Sequence, residues 1–291
     1  MRLCLKLISR CVHRLFWEVF YKEIVVEVSD PARQLVAMCE WFAGYKHHKS
    51  NSRTIDALER LFKSNNRSET IRVISEANKR FDEYEKTIHS VGFDFLDERD
   101  RNDALDAAES TRQFLNFEAM MNTWTHYVGI AGNSATLNAI RIPSPVLRQL
   151  MPCLVPSEDD IHDMSLALNE ISEEDLVSSA MPKLLEQAIR IGIEELRMSL
   201  RFPLVYGLEY IPHRAAHLSA NLMMAETIDP KIKATALWDK TYRVLAFIFT
   251  VWIGFQPAVE ATKYNFDEIN NLYQMIDEKI PALLLEYKNN D

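Results

Sequence analysis

The acidic string from Asp159 to Asp163 is the part of this sequence whose residue types could most directly do chemistry. It reads Asp-Asp-Ile-His-Asp and fits the pattern D-D-x-x-D, with carboxylates at Asp159, Asp160 and Asp163. Mg²⁺ prefers oxygen ligands and keeps several of its waters, so two or three carboxylates and a substrate phosphate suffice to hold it. The string is therefore a candidate magnesium site.

This pattern resembles the aspartate motif of class I terpenoid and prenyl synthases, in which carboxylates on one helix face hold Mg²⁺ ions that bind a diphosphate. The string from Asn270 to Glu278 loosely resembles the second metal motif of terpene cyclases, N-D-x-x-S-x-x-x-E, and departs from it at Asn271 and Gln274. The resemblance implies an all-helical, Mg²⁺-dependent enzyme that acts on a diphosphate or isoprenoid substrate.

Helix capping gives a second interpretation of the same acidic residues. Ser157 stands where an N-cap is expected, which places Glu158, Asp159 and Asp160 in the first turn of a helix. Acidic side chains are favoured there by the helix macrodipole whatever the protein does. In the family that the motif resembles, the motif comes late in its helix rather than at the start. Capping predicts a surface-exposed, structural acidic block.

A second candidate metal site consists of His213 and His217, which are four positions apart in the sequence. This spacing lets two histidines on one helix share a metal ion. A zinc site needs at least one more ligand, for which Glu209 or Glu226 could serve. The alternative is an ordinary pair of surface histidines.

Residues 119–140 contain no Lys, Arg, Asp or Glu, yet they hold many polar side chains, including His126 and Asn133, beside Trp124 and Tyr127. Buried polar groups need hydrogen-bond partners from neighbours, water or a ligand. The segment is therefore a candidate pocket wall, and a small apolar ligand near Trp124 and Tyr127 is one function that it allows. A satisfied polar core is the alternative.

Residues 2–22 fit an amphipathic helix with a net charge of +4. Its basic edge consists of Arg2, Lys6, Arg10 and Arg14, and its apolar face of Leu5, Ile8, Val12, Leu15 and Phe16. A basic edge beside an apolar face is what a helix needs to lie in the plane of a membrane interface. The pattern predicts binding to an anionic membrane surface or to an acidic protein surface. Packing of the apolar face on the rest of the protein is the alternative.

The elements that must position these residues are predicted to be helices. The run from Val244 to Phe255 is the most apolar in the chain, and its dozen residues fall short of the roughly 20 that span a bilayer. Because it is apolar on all sides, we expect other helices to surround it. The sequence thus predicts an all-α protein, a single multi-helix bundle around a central helix at 230–256.

Several boundaries follow from local signals. Asp30 and Pro31 predict a helix start, Gly44 a helix end, and Ser68 the N-cap of a helix that runs to residue 90. Residues 23–28 fit either a short strand or a continuation of the first helix. The predicted organisation is an amphipathic N-terminal arm at 1–28 and a helical domain at 29–291, with a possible subdomain break at 143–156 where prolines concentrate.

Composition limits the classes of function. The 291-residue chain has a net charge of −9, which disfavours nucleic acid as a partner because such binding relies on Lys and Arg. It has only 7 glycines and no phosphate-binding glycine motif, and its 4 scattered cysteines indicate reduced thiols and a cytoplasmic location, with peripheral membrane attachment as a further option. We expect a non-catalytic helical interaction protein with a protein partner and no cofactor. The Mg²⁺-dependent enzyme and the apolar-ligand protein are the alternatives, and no feature indicates an oligomeric state.

Overall fold

The computed structural model describes residues 27–45, 52–64, 66–172, 175 and 181–253, and these residues are predominantly helical, so the all-α prediction is confirmed. The predicted N-terminal arm, apart from residues 27 and 28, and the chain after residue 253 lie outside the described residues.

The first half of the described chain contains mostly short helices together with the longest described helix, of 24 residues. In chain order its elements are β1 (Glu27–Ser29), α1 (Pro31–Gly44), α2 (Thr54–Leu61), α3 (Arg67–Ser90), α4 (Glu98–Arg112), a 3₁₀ helix (Gln113–Leu115), α5 (Phe117–Met121), α6 (Trp124–Ala131), α7 (Ser134–Arg141), α8 (Ser144–Leu150) and β2 (Cys153–Val155).

In the second half of the described chain, four helices have 12–19 residues and three are shorter. They are α9 (Glu158–Asn169), α10 (Lys183–Arg201), α11 (Pro203–Tyr206), a 3₁₀ helix (Leu208–Tyr210), α12 (Ile211–Ile228), a 3₁₀ helix (Pro230–Ala234) and α13 (Ala236–Ile253). The strands β1 and β2 pair antiparallel, with residue 27 opposite residue 155.

Capping side chains explain where several helices begin. The Asp30 carboxylate accepts a hydrogen bond from the backbone N–H of Arg33 at 3.1 Å, so α1 starts where it was predicted to start. Its end at Gly44 also agrees with the prediction. The start of α3 differs from the prediction, since its N-cap is Asn66 and not Ser68. Asn66 has an extended backbone, and its side chain accepts from the N–H of Glu69 at 2.8 Å. This cap places Ser68 inside the first turn.

The buried apolar residues form two clusters. The N-terminal cluster packs α1 to α8 together around aromatic side chains, the largest of which are Phe42, Phe62, Tyr84 and Phe114. The C-terminal cluster packs α9, α10, α12 and α13 around aliphatic ones such as Ile189. Helix α10 belongs to both, because most of its buried residues lie in the C-terminal cluster while Met198 near its end lies in the N-terminal one. It therefore connects the two clusters.

Helix α13, which contains the described part of the apolar run that begins at Val244, organises the C-terminal cluster. Phe249 is buried there, while Phe247 and Trp252 are half-buried, and the helix packs on α9, α12 and the 3₁₀ helix before it. Among the described residues, the N-terminal cluster is built on α1 instead, which packs on α3, α6, α7 and α8. The predicted central role of α13 thus holds for its own cluster.

A network of charged side chains, which we call the ionic core, lies between α1, α3, α8 and the 3₁₀ helix Leu208–Tyr210. It comprises Asp30, Arg33, Gln34, Arg80, Glu83, Ser144, Arg148 and Glu209. Arg80, with 5% of its side chain exposed, donates to Glu83 at 2.8 Å, to Glu209 at 2.6 Å and to the Gln34 amide oxygen at 3.1 Å. Burial alone would lower the pKa of Arg80, but the carboxylates of Glu209 and Glu83 raise it above its ordinary value.

The backbone beside Arg80 is shaped to admit this guanidinium. Gly207 has a φ of +78°, and a Cβ at this position would lie 2.6 Å from Arg80 Nη1. A side chain here would be strained by the left-handed backbone and would also collide with Arg80. Glycine is thus the one residue type at position 207 that allows the Arg80 guanidinium to approach the backbone this closely.

Candidate functional site

The acidic string lies at the start of α9, where it caps the helix. Ser157 Oγ accepts from the N–H of Asp160 at 3.0 Å, and Asp160 Oδ2 accepts from the N–H of Ser157 at 3.2 Å. Asp159 and Asp163 are exposed. In the part of the chain that the structure describes, no three His, Cys, Asp or Glu side chains are grouped so that they could hold a metal ion. The second motif, at residues 270–278, lies outside that part, so convergence of the two motifs stays a prediction.

The two histidines of the other candidate metal site are exposed on α12. Both carboxylates proposed as a third ligand pair with cations. Glu209 accepts from Arg80 at 2.6 Å, and Glu226 lies 2.8 Å from Lys233 Nζ. His213 and His217 therefore have the placement of an ordinary surface pair.

The candidate pocket wall is divided between the core and the surface. Trp124 is buried and donates from Nε1 to the carbonyl of Tyr45 at 3.3 Å, and Tyr127 is buried in the same cluster. His126 and Asn133 are exposed, and Asn133 caps α7 by accepting from the N–H of Ala135 at 3.0 Å. This corrects the expectation of a buried polar segment, because most of the polar side chains reach solvent.

A polar cleft of about 740 Å³, the arginine cleft, opens where the two clusters meet. It lies between the first turns of α3 and the facing sides of α9 and α10. Its lining is mostly polar and consists of Asn66, Ser68, Glu69, Arg72, Ser165, Asn169, Glu194, Arg197, Met198 and Arg201. Three arginines and two carboxylates leave it with one net positive charge, on a chain whose net charge is −9.

Two of the three arginines in the cleft are fixed by structural bonds. Arg201 binds Glu69 at 2.8 Å and donates to the carbonyls of Phe62 and Lys63, which end α2. Arg197 binds Glu194 at 2.5 Å and also donates to backbone carbonyls at the end of α9. Because these side chains are bound at several points, their positive charges are held in place.

The third arginine, Arg72, differs from the other two. It is exposed on α3, and within the described residues it has no hydrogen bond or ion pair. Tyr206 lies close by: burial raises the pKa of its phenol, and the Arg72 charge partly offsets that rise. The Tyr206 hydroxyl and Arg197 Nε are buried and have no hydrogen-bond partner in the described part of the chain. The Arg72 guanidinium is therefore a donor group in the cleft lining that the rest of the described protein does not use.

A second exposed feature lies on the adjacent helices α10 and α12. We call it the apolar face, and its members are Leu184 (83% exposed), Ile191 (49%), Met224 (58%) and Ile228 (53%). Side chains of this kind are usually exposed singly, whereas grouped ones mark interaction sites.

One structural finding concerns the membrane. No helix among the described residues is both long and apolar enough to cross a bilayer. The residues predicted to bind a membrane or acidic protein surface (Arg2, Lys6, Arg10, Arg14, Leu5, Ile8, Val12, Leu15 and Phe16) lie outside the described residues.

Comparison of the chain with protein-family models, with curated proteins and with solved structures finds no match. The class of protein therefore rests on the fold and on these two surface features. Neither feature was predicted from the sequence. The four-residue spacings of Ser68 with Arg72 and of Arg197 with Arg201 were the available signal, but nothing local shows that the two helices meet.

Proposed function

We propose that this chain is a non-catalytic helical interaction protein, and that its apolar face binds the apolar side of an amphipathic helix from a protein partner. The observation that supports the proposal is the grouping of four exposed, large apolar side chains on two packed helices. Burying one such side chain contributes about 1.5–3 kcal/mol. The four side chains are 49–83% exposed, so each would contribute part of this amount, from which the cost of association is subtracted.

The contacts between α10 and α12 set the relative position of these side chains. A Cβ at Gly192 would lie 3.2 Å from Leu218, and Arg214 donates to Ser199 Oγ at 2.8 Å. The residue number rises along one helix as it falls along the other, so the helices are antiparallel.

This register brings the two halves of the apolar face together. Continued toward the start of α10, it places Leu184 level with Ile228. Ile191 follows Leu184 by seven residues and shares its side of the helix, about 10 Å further along. Ile228 follows Arg214 by 14 residues and faces the same side, toward α10. We propose that these side chains and Met224, four residues before Ile228, border one groove.

A helix that lies in such a groove would insert apolar residues at positions i, i+3 or i+4, and i+7. Two exposed polar residues flank Ile191 on this side of α10, the neutral Gln187 and the acidic Glu195. We therefore expect the partner helix to carry Lys or Arg next to its apolar stripe.

The test has two stages. A photo-crosslinking amino acid at Met224 first identifies proteins that touch the groove in the native source. The partner is then purified and titrated by calorimetry against the wild type, Leu184→Asp/Ile191→Asp, and the control Phe117→Asp/Met121→Asp, whose two side chains are similarly exposed on α5. We expect the first variant to weaken binding at least 100-fold and the control to bind like the wild type. Equal binding by all three proteins, or cross-links only between copies of this chain, would contradict the proposal.

Membrane attachment through residues 2–22 stays a separate prediction. Each cation near an anionic leaflet adds about 1 kcal/mol. Co-sedimentation of the intact chain with vesicles that contain phosphatidylserine, lost at high salt and on deletion of residues 1–22, would support it. No co-sedimentation by the intact protein would rule it out.

A further inference from the structure

The arginine cleft differs from an ordinary set of surface ion pairs in its unused donors. Glu69 and Glu194 pair with Arg201 and Arg197, so the charge of Arg72 is not cancelled by a carboxylate of the described residues. Natural structures pair most buried polar atoms, and an unpaired one calls for an explanation such as a ligand. Arg197 Nε is such an atom, buried on a side chain that lines the cleft, and the Tyr206 hydroxyl is another, near Arg72 but outside the lining.

The shape of the cleft suits a small ligand. Its volume of about 740 Å³ is within the range of roughly 300–1,000 Å³ that is usual for ligand pockets. The lining adds neutral donors from hydroxyl and amide groups: Ser68, Ser165, Asn66 and Asn169. An apolar ligand would offer no hydrogen-bond acceptor to these groups or to the Arg72 guanidinium.

The chemistry of the donors selects the ligand. Guanidinium groups form paired, charge-assisted hydrogen bonds with carboxylate and phosphate oxygens. A phosphate group offers more acceptor oxygens and more negative charge than a carboxylate, and here donors approach from three helices. The cleft also lies at the N-terminal end of the 24-residue helix α3, where the helix dipole adds to the attraction for anions.

We infer that the arginine cleft is a binding site for a phosphate group, either free or esterified to a small molecule, and that Arg72 is its main anion contact. Arg197 and Arg201 supply fixed positive charge, and the serine hydroxyls supply neutral hydrogen bonds. This site is independent of the apolar face, because the two features share no residues.

Calorimetric titration with three probes at constant ionic strength tests the inference: inorganic phosphate, phenyl phosphate and succinate. The proteins are the wild type, Arg72→Ala, Arg72→Lys and the control Arg99→Ala, whose side chain is 89% exposed on α4. Arg72 is itself exposed, so its substitutions leave the fold intact, which circular dichroism verifies.

We expect phosphate binding by the wild type, at least tenfold weaker binding by Arg72→Ala, an intermediate loss for Arg72→Lys and no change for Arg99→Ala. Tighter binding of phenyl phosphate than of inorganic phosphate would support an esterified ligand, and the reverse order would support a free one. Three results would overturn the inference: no phosphate binding by the wild type, unchanged binding by Arg72→Ala, or succinate binding as tight as phosphate binding. Leu184→Asp/Ile191→Asp should retain phosphate binding, so failure of either proposal leaves the other testable.

Discussion

The ionic core and the arginine cleft both concentrate arginine where separate parts of the chain meet, yet they differ in charge balance and burial. In the ionic core, three arginines face three carboxylates, and Asp30 and Arg80 are buried. In the cleft, three arginines face two carboxylates, and Arg72 is exposed. A balanced set of charges with a buried centre leaves no net charge to attract an ion, and its ion pairs connect parts of the chain that are distant in sequence. An unbalanced, open set is able to bind an anion from solution.

The largest expected effect comes from the ionic core. Arg80→Ala removes the donor for Glu83, Glu209 and Gln34, and breaking such a buried pair costs about 3–5 kcal/mol. This is a large part of the 5–15 kcal/mol that typically separates folded from unfolded protein. Urea unfolding measures the change, with Arg72→Ala, expected within about 0.5 kcal/mol of the wild type, as the matched arginine variant. A loss below 1 kcal/mol for Arg80→Ala would show that the ionic core is not structural.

The next effect tests the shape of the ionic core rather than its charge. Gly207→Ala should cost about 2 kcal/mol, because alanine is strained at positive φ and its Cβ would displace the Arg80 guanidinium. Gly129→Ala is the control, since a Cβ there meets nothing within 4 Å and alanine favours the helix. In a double-mutant cycle, Gly207→Ala should cost less once Arg80 is already alanine. Equal costs in both backgrounds would mean that the cost comes from the backbone conformation and the contact with Tyr210, 2.8 Å from such a Cβ, and not from Arg80.

A smaller change is expected when the charge of the cleft is altered. Glu194→Gln removes one of its two carboxylates, and the lost repulsion should strengthen phosphate binding by about 1 kcal/mol, or about fivefold. Stability should change little, because the Glu194 side chain is 45% exposed and exposed ion pairs contribute little. Calorimetry and urea unfolding measure the two effects. Weaker phosphate binding by Glu194→Gln would indicate that Arg197 needs its partner in order to bind the ligand.

The smallest effect concerns a single ion pair outside both regions. A hydrogen bond from Lys240, at 2.7 Å, and further bonds from Ser172 lower the pKa of Asp175 from 3.8 to about 2. A lowered folded-state pKa means that the pair stabilises the protein above pH 4 and loses this effect as the pH falls toward 2. The difference in melting temperature between the wild type and Asp175→Asn should therefore shrink from pH 5 to pH 2. A difference that stays constant over this range would argue against the assigned pair.

Local features were predictable from the sequence. The start of α1 at Asp30 and Pro31, its end at Gly44 and the cap at Ser157 depend on bonds between residues three or four apart. The same holds for the helical character of the run that begins at Val244. Even here, a neighbouring residue can be the N-cap instead of the predicted one, as Asn66 is in place of Ser68 at the start of α3.

The absence of charged residues was less informative about burial. Residues 119–140 lack charge, and this suggested a buried polar segment. The helices in this segment are short, and each exposes one side, so Trp124 lies in the core while His126 faces solvent. Absence of charge therefore did not decide where the polar side chains lie.

By itself, the sequence determined the all-α class, several helix boundaries and the capping role of the acidic string, because these depend on hydrogen bonds and apolar spacing within a few turns of chain. Only the tertiary structure decided which distant residues meet. Arg80 and Glu209 are 129 residues apart, and β1 pairs with a strand more than 120 residues later. The arginines of the cleft come from α3 and α10. Such long-range contacts depend on how the apolar faces of many helices pack at once. The residue spacing within one helix does not specify which other helix it packs against.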